Sequence, residues 1–321
     1  MRNLIGVFAM LAAAVSGFQT AQANPQLAFI PGARVNMAME EPFSIKGARI
    51  PYEHEVTVYL PASYEAQPER AYPVLWVLDA PLLLRAVVGV QDILVTGNFA
   101  PEMIIVGIGS RSEEGLAGVG RRVMDFSPPG PDYFPQGLRG DRWKEVAPLP
   151  KFPHRADSFL NFLVDQLRPS LAERYRFSGD HGLFGHSAGG MFAAYALVTR
   201  PDSFDKYIIG SPYIEGVRGA VMTAEAQYAR DHDDMEAAVY IAAGGREADT
   251  YFLAASGIVS GTVDFSETLR LRRYPSLTVS TRLYDDANHY TIVPRLLMDG
   301  ISELWADDFK DLPSSWPQPP G

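Results

Sequence analysis

One eight-residue stretch constrains the fold of this chain more than any other. Residues 183–190 read LFGHSAGG, so a short apolar run enters a Gly-x-Ser-x-Gly turn, and an apolar helical pattern over 191–198 leaves it. Glycines flank the serine because side chains in so tight a turn would strike the neighbouring strand and helix, and the strain holds the hydroxyl clear of the sheet. The pattern predicts that Ser187 is a nucleophile. It also places the backbone N–H of Ala188, at the helix start, where an oxyanion would form.

Other apolar segments predict the sheet around this turn. Two alternating segments come first, at 35–45 and 54–60. Short continuous apolar runs typical of buried parallel strands follow at 74–78, 103–106, 182–184, 207–209, 239–242 and 277–283. A helical pattern over 159–171 lies between two of them, and Pro169 is predicted to bend that helix. Antiparallel entry strands followed by strand–helix repetition predict an α/β protein of the α/β-hydrolase fold, with helices on both faces of a mostly parallel sheet.

The N-terminus has the pattern of a secretory signal peptide. Arg2 precedes the apolar run 4–15, and 21–23 reads AQA, a small-x-small cleavage site. We therefore expect residues 1–23 to be removed and the mature chain to begin at Asn24, in the periplasm or outside the cell. The apolar run is too short to span a bilayer, and no later segment approaches that length, so no membrane insertion is expected after cleavage.

No linker or internal repeat divides the remainder. We expect one catalytic domain over 24–312 and a proline-rich tail over 313–321. Residues 127–153 are rich in proline and glycine and too long for an ordinary connection, which predicts a structured loop near a site. Its aromatic residues either wall the pocket or simply pack; they are Tyr133, Phe134 and Trp143.

Composition excludes several classes of function. The chain has no cysteine, which rules out disulfides, thiolate metal sites and cysteine nucleophiles. Its formal charge is −10 and no basic block stands out, so nucleic acid is not an expected partner. A serine nucleophile with a histidine base needs neither a metal nor an organic cofactor, and none is expected.

Chain order selects the general base. In the α/β-hydrolase fold the order is serine, acid, histidine, and of six histidines only His232 and His289 follow Ser187. His232 lies in the charged run 230–234, which is typical of a solvated helix face. His289 follows the last strand-like segment and directly precedes a predicted helix start, where this fold places its base. We therefore predict that His289 is the base.

The acid has more than one candidate. It should follow the strand at 239–242, which leaves Glu247 and Asp249, and Glu247 is preferred because it lies closer to the strand end. Asp285 and Asp286 are interpreted as loop-stabilising side chains. A Ser–His dyad, with a backbone carbonyl holding the imidazole, remains an alternative.

With these residues in place, nearly the whole mature chain resembles the putative esterase family of α/β hydrolases. That family includes trilactone siderophore esterases, S-formylglutathione hydrolases, feruloyl esterases and the antigen 85 mycolyltransferases. The motifs that carry the resemblance are YPVLWVLD at 72–79, VGIG at 106–109, RVMDFSP at 122–128, FGHSAGG at 184–190 and Ser211-Pro212. Among members, the enterobactin and bacillibactin esterases are most similar, with Arg-x-x-Asp-Phe/Tyr-Thr-Pro in the matching loop. The resemblance implies catalytic roles for Ser187, His289 and Glu247.

Two departures from the family pattern affect the site. Family members often have Asp-Gly after the third strand and a nearby second oxyanion donor, but here the sequence reads Asp79-Ala80-Pro81-Leu82. Pro81 has no N–H, which leaves Leu82 or Ala80 as the expected donor. The siderophore esterases tend to read Ser-Pro-Ser-x-Trp where this chain has SPYIE at 211–215, and the missing tryptophan weakens the case for a catecholate substrate.

Three side chains are candidate substrate contacts. Arg121 and Arg122 follow a strand at the site-bearing edge of the sheet and could meet an anionic group, and Tyr213 lies in the altered motif. An ion pair between Arg122 and Asp125 that shapes the loop is the alternative for Arg122.

These observations predict a serine carboxylic-ester hydrolase that works through an acyl-enzyme on a small-molecule ester, with siderophore lactones among the candidates. Two alternatives stay open. One is acyl transfer to an acceptor other than water, as in antigen 85, and the other is an inactive binding module on the same fold.

Overall fold

A nine-stranded sheet runs through the computed structural model, which describes residues 36–110, 116–129, 154–214 and 219–306. The strands are β1 (Ala38–Met39), β2 (Phe43–Lys46), β3 (Glu53–Leu60), β4 (Tyr72–Leu78), β5 (Ile104–Gly109), β6 (Phe177–His186), β7 (Lys206–Gly210), β8 (Ala237–Gly244) and β9 (Leu277–Tyr284). Their order is β1-β3-β5-β4-β6-β7-β8-β9, and β2 pairs with β3. Pairings among β1, β2, β3 and β5 are antiparallel, and the five pairings that join β5, β4, β6, β7, β8 and β9 in that order are parallel. The predicted α/β-hydrolase architecture, with its antiparallel entry strands, is confirmed.

Helices cover both faces of this sheet. They are α1 (Ala80–Thr96), α2 (Leu116–Phe126), α3 (156–172), α4 (Ala188–Thr199), α5 (Ala220–Asp231), α6 (Tyr251–Ala255), α7 (Ile258–Arg272) and α8 (Ile292–Leu304). Short 3₁₀ turns occur at Pro201–Ser203 and Gly245–Asp249. Residues from α1 and α8 pack on one face, and residues from α3, α4 and α7 pack on the other.

The central strand β4 shows why its sequence is continuously apolar. Val74, Trp76 and Leu78 point into the core beneath α3 and α4, whereas Leu75 and Val77 point towards α1 and α8. All five side chains are fully buried. Each contributes roughly 1.5–3 kcal/mol relative to exposure, so a polar residue on either face would be costly.

The predicted helix that contains Pro169 continues through the proline, and its hydrogen-bonding pattern changes along its length. Within α3, the α-helical segment Ala156–Asn161 passes into a π-helical segment, Phe162–Leu167, and then into the α-helical segment Arg168–Ala172. Pro169 lies in the first turn of the last segment, where its missing N–H is tolerated. π-Helical turns are a recognised cause of helix kinks, and this one falls just before the proline.

Several sequence-based predictions fall outside the described residues. They are the signal peptide at 1–23, the tail at 313–321, and most of the long loop with Tyr133, Phe134 and Trp143. Among the residues that are described, no helix combines the length and the hydropathy needed to cross a bilayer.

Candidate active site

Ser187 lies in a strained turn between β6 and α4. Its φ of 61° and ψ of −119° lie outside the regions that non-glycine residues normally adopt, and its N–H donates to the Gly210 carbonyl at 2.8 Å. A Cβ added to Gly185 would lie 2.1 Å from the Gly189 oxygen. One added to Gly190 would lie 2.6 Å from the Gly210 oxygen. Glycine is therefore required at Gly185, the first glycine of the motif, and at Gly190, which follows it; at Gly189, the second glycine of the motif, a Cβ would lie 3.3 Å from Oδ2 of Asp79.

Two cavities meet at this serine. The first has a volume of about 370 Å³ and the second of about 470 Å³. Residues that border both are Arg122, Ser187, His289 and Tyr290. Ser187 and His289 therefore sit at the junction, where an ester bound across the two cavities would present its carbonyl.

Glu247 lies beside His289 in the interior. Its side chain is fully buried, and its Oε2 is 3.5 Å from Nδ1 of His289. Neither atom has a hydrogen-bond partner elsewhere in the described part of the chain, so the two face each other. Catalytic hydrogen bonds are often this long in unliganded enzymes and tighten when substrate binds.

The other carboxylates considered in the sequence lie at the surface. Asp249 is about two-thirds exposed and pairs with Arg246 at 3.3 Å. Asp286 pairs with Arg295, and Asp285 is exposed. The structure thus brings Glu247 to His289 and leaves these three away from it.

His232 occupies a different kind of environment from His289. It follows the last residue of α5, is exposed, and stacks on the Tyr228 ring with centroids 4.0 Å apart. It borders neither cavity. The structure therefore does not bring it to Ser187.

His186, which no sequence pattern had marked as functional, packs against the candidate base. Its ring centroid is 4.6 Å from that of His289. Burial, with the nearby charges of His289 and Arg122, lowers the pKa of His186 to about 3, although a hydrogen bond to the His289 backbone opposes this. The ring is therefore neutral at ordinary pH and adds no positive charge beside the base. Its position directly before the nucleophile in the sequence was the signal that could have identified it as a residue of the site.

The first turn of α1 contains the residues considered as the second oxyanion donor. The N–H of Leu82 donates to the Asp79 carbonyl at 2.9 Å, and that of Leu83 donates to the same oxygen at 3.0 Å. The N–H of Leu82, expected as the second donor, is thus already used within the turn, although Leu82 borders the first cavity. Ala80, the other candidate, borders neither cavity. Ala188, the first residue of α4, borders the second cavity.

Arg122 makes a different ion pair from the predicted one. Its Nε and Nη2 donate to Oδ1 and Oδ2 of Asp79 at 2.6 and 2.9 Å. The predicted pairing with Asp125 is wrong, because that buried carboxylate accepts from the Tyr52 hydroxyl at 2.5 Å and contacts Nε2 of His54 at 2.8 Å. Asp79 has a left-handed backbone, with φ of 55°, so the bidentate pair holds a strained residue at the site.

The other two candidate substrate contacts differ in position. Tyr213 borders the second cavity, and burial raises its pKa to about 12, so it stays protonated. Arg121 lies over the Tyr52 ring at 5.1 Å and borders neither cavity. Of the three, Arg122 and Tyr213 therefore reach the cavities and Arg121 does not.

The sequence of this chain is similar to those of several known proteins. The family model described as "Putative esterase" matches residues 47–257. A ferri-bacillibactin esterase, BesA, from Bacillus subtilis is 31% identical over 46% of this chain and 50% of its own. A siderophore enterobactin esterase from Emericella nidulans is 37% identical over 34% of this chain and 35% of its own. The chain thus spans half or less of the length of the curated relatives it matches.

Solved structures share the same fold. The siderophore hydrolase EstA from Aspergillus nidulans superposes with a TM-score of 0.71, covering 84% of this chain and 94% of its own at 22% identity. At that identity the likeness establishes the architecture, and the chemistry has to be argued from the residues.

Proposed function

The chain belongs to the "Putative esterase" family, and we propose that it hydrolyses carboxylic esters through a serine acyl-enzyme. The observation that carries the proposal is the junction of two cavities at Ser187 and His289, with the buried carboxylate of Glu247 directed at the imidazole. A serine hydroxyl is a weak nucleophile until a positioned base takes its proton, and this arrangement supplies that base.

The reaction follows from the positions of these groups. Ser187 Oγ attacks the ester carbonyl carbon while His289 takes the hydroxyl proton, and Glu247 stabilises the imidazolium that forms. The N–H of Ala188, with that of Ala80 as the second candidate, donates to the oxyanion. Collapse of the intermediate breaks the bond to the alcohol oxygen, which receives the proton from His289. Water then attacks the acyl carbon while His289 takes its proton, and the bond to Ser187 Oγ breaks as that oxygen receives the proton from His289, which releases the acid.

For the substrate we propose a siderophore-type ester or lactone. Two relatives are named for ferri-bacillibactin and enterobactin, which motivates the choice. Among the described residues, Arg122 bonds Asp79 through Nε and Nη2, which leaves Nη1 to meet an anionic group of a substrate. The second cavity suits an aromatic ring because its lining includes six large apolar or aromatic side chains: Val123, Met191, Tyr213, Phe252, Leu253 and Ile258.

A panel of substrates tests this function. It comprises chromogenic esters of increasing acyl length and an iron-loaded trilactone siderophore, each incubated with the purified chain. We expect hydrolysis of short esters and faster hydrolysis of the trilactone. Added alcohols should not divert the acyl group, whereas ester products from them would indicate a transferase. Failure of a fluorophosphonate probe to label Ser187 would indicate an inactive binding module.

We also propose that residues 1–23 direct export and that 24–312 form one catalytic domain. The N-terminal run of Arg2, apolar residues and AQA motivates the first part. N-terminal sequencing of the protein recovered from the periplasm or medium should begin at Asn24. Recovery of the chain with Met1 in the cytoplasm alone would contradict the proposal.

Replacing Glu247 by Gln is expected to lower turnover of a short-chain ester by about ten-thousandfold. Glutamine keeps the size of the side chain but removes the counter-charge of the imidazolium and the preference for the tautomer with a proton on Nδ1. The measurement is kcat of the purified variant, with circular dichroism to show that it is folded.

Asp249→Asn is the matched control, since this exposed carboxylate two residues along the chain pairs only with Arg246 among its described contacts. It should keep nearly full turnover. If both variants keep most of their turnover, the enzyme works with a dyad. A severe loss in Asp249→Asn beside an active Glu247→Gln would assign the acid to Asp249.

A further inference from the structure

Ser211 has a strained backbone at the carboxyl end of β7. Its φ of 42° lies in the left-handed region, which a serine adopts only at a cost of about 1–3 kcal/mol. The residue is fully buried, and its N–H donates to the Ala242 carbonyl on β8 at 2.7 Å. Glycine would adopt this conformation without strain, so the presence of serine calls for a role of its hydroxyl.

The hydroxyl of Ser211 contacts the candidate acid. Its Oγ donates to Oε1 of Glu247 at 2.5 Å, and the same oxygen accepts the N–H of Gly244 at 3.2 Å. A hydroxyl that donates to a carboxylate at such a distance makes one of the stronger hydrogen bonds in proteins. The other oxygen, Oε2, receives neither donor and faces Nδ1 of His289 at 3.5 Å.

We propose that Ser211 is a positioning residue that holds the Glu247 carboxylate so that Oε2 is directed at His289. The terminal torsion of a glutamate side chain is broad and roughly twofold, so an unrestrained carboxylate would rotate. Two donors on Oε1 fix its plane, which leaves Oε2 as the acceptor for the imidazole. The inference rests on the proposed function, because it assigns a role within that mechanism.

The location of Ser211 limits its role to positioning. It borders neither cavity, so it does not touch substrate. The preceding residue, Gly210, accepts the N–H of Ser187 at 2.8 Å. The end of β7 therefore contacts the nucleophile turn through its backbone and the acid through a side chain, which ties the two parts of the site to one strand.

Two variants separate the hydroxyl from the backbone strain. Ser211→Ala removes only the hydroxyl, and Ser211→Gly removes it while also relieving the left-handed strain. We expect each to lower kcat about 10- to 100-fold, the range for hydrogen bonds to charged groups, with KM nearly unchanged. The glycine variant should melt no lower than the alanine variant. A loss of activity in the glycine variant would then not result from a loss of stability.

A double-mutant cycle with Glu247→Gln tests whether Ser211 acts through the acid. In that background Ser211→Ala should change kcat by less than about twofold, because the carboxylate it holds is gone. The same 10- to 100-fold loss in both backgrounds would show a general structural role and overturn the inference. So would turnover of Ser211→Ala within twofold of the unmodified enzyme.

The rate at which a fluorophosphonate labels Ser187 gives a second readout that needs no natural substrate. Slower labelling of Ser211→Ala than of the unmodified chain supports the inference. Equal rates overturn it while leaving the proposed function intact. An unmodified chain that is not labelled at all contradicts the proposed function itself, so the two failures are distinguishable.

Discussion

Ser187→Ala is expected to lower turnover of a short-chain ester by about a millionfold, the scale found when a triad serine is removed. The reaction requires Oγ to form the bond to the acyl carbon, and the turn at 185–190 contains no other hydroxyl side chain. Folding should be intact, because the tight turn depends on Gly185 and Gly190 and alanine keeps the serine Cβ. The measurement is kcat, together with circular dichroism and a melting curve.

Ser178→Ala is the matched control, since this serine lies near the opposite end of the same strand, β6. It should keep turnover within a few-fold of the unmodified enzyme. Retention of more than about a hundredth of activity in Ser187→Ala, far outside the expected scale, would remove Ser187 from the mechanism.

His289→Ala should cost nearly as much as loss of the serine. Without the imidazole, nothing takes the Ser187 proton or returns it to the departing alcohol, and in a comparable triad removal of the base alone costs about a millionfold. The variant is also expected to react with a fluorophosphonate far more slowly, because that reaction needs the same activated hydroxyl. Turnover and labelling rate should therefore fall together.

His232→Ala provides the comparison for this variant. That ring is exposed, stacks on Tyr228 and borders neither cavity, so its removal should leave turnover nearly unchanged. If His232→Ala were inactive and His289→Ala active, the assignment of the base by chain order would be wrong.

The sequence predicted those features of the fold and site that depend on local pattern. The alternation of apolar residues and the Gly-x-Ser-x-Gly turn are local patterns. They were therefore sufficient to predict the strands, the α/β-hydrolase architecture and the position of Ser187 at a strand–helix turn. The order of motifs along the chain selected His289 and left Glu247 and Asp249 as candidate acids, and the structure places Glu247 beside His289.

Contacts between distant segments could not be predicted in this way. Asp125 is only three residues from Arg122, but the partner of Arg122 in the structure is Asp79, which lies 43 residues away in the chain and accepts two hydrogen bonds. The hydrogen bond between Ser211 and Glu247 spans 36 residues and depends on how the ends of β7 and β8 align. No periodicity or motif encodes such geometry.

The proposed reacting groups and two exposed side chains of the first cavity come from different parts of the chain, with a consequence for how this protein can diversify. Ser187, Glu247 and His289 all follow strands in the second half, whereas Leu82 and Val119 border the first cavity from helices in the first half. Both of these side chains are more than half exposed, and surface substitutions usually change stability by only about 0.5 kcal/mol. New substrate preferences can therefore arise by mutation at 82 and 119 while the reacting groups stay where they are. A library confined to those two positions should yield altered ester selectivity at a high frequency of folded, active variants.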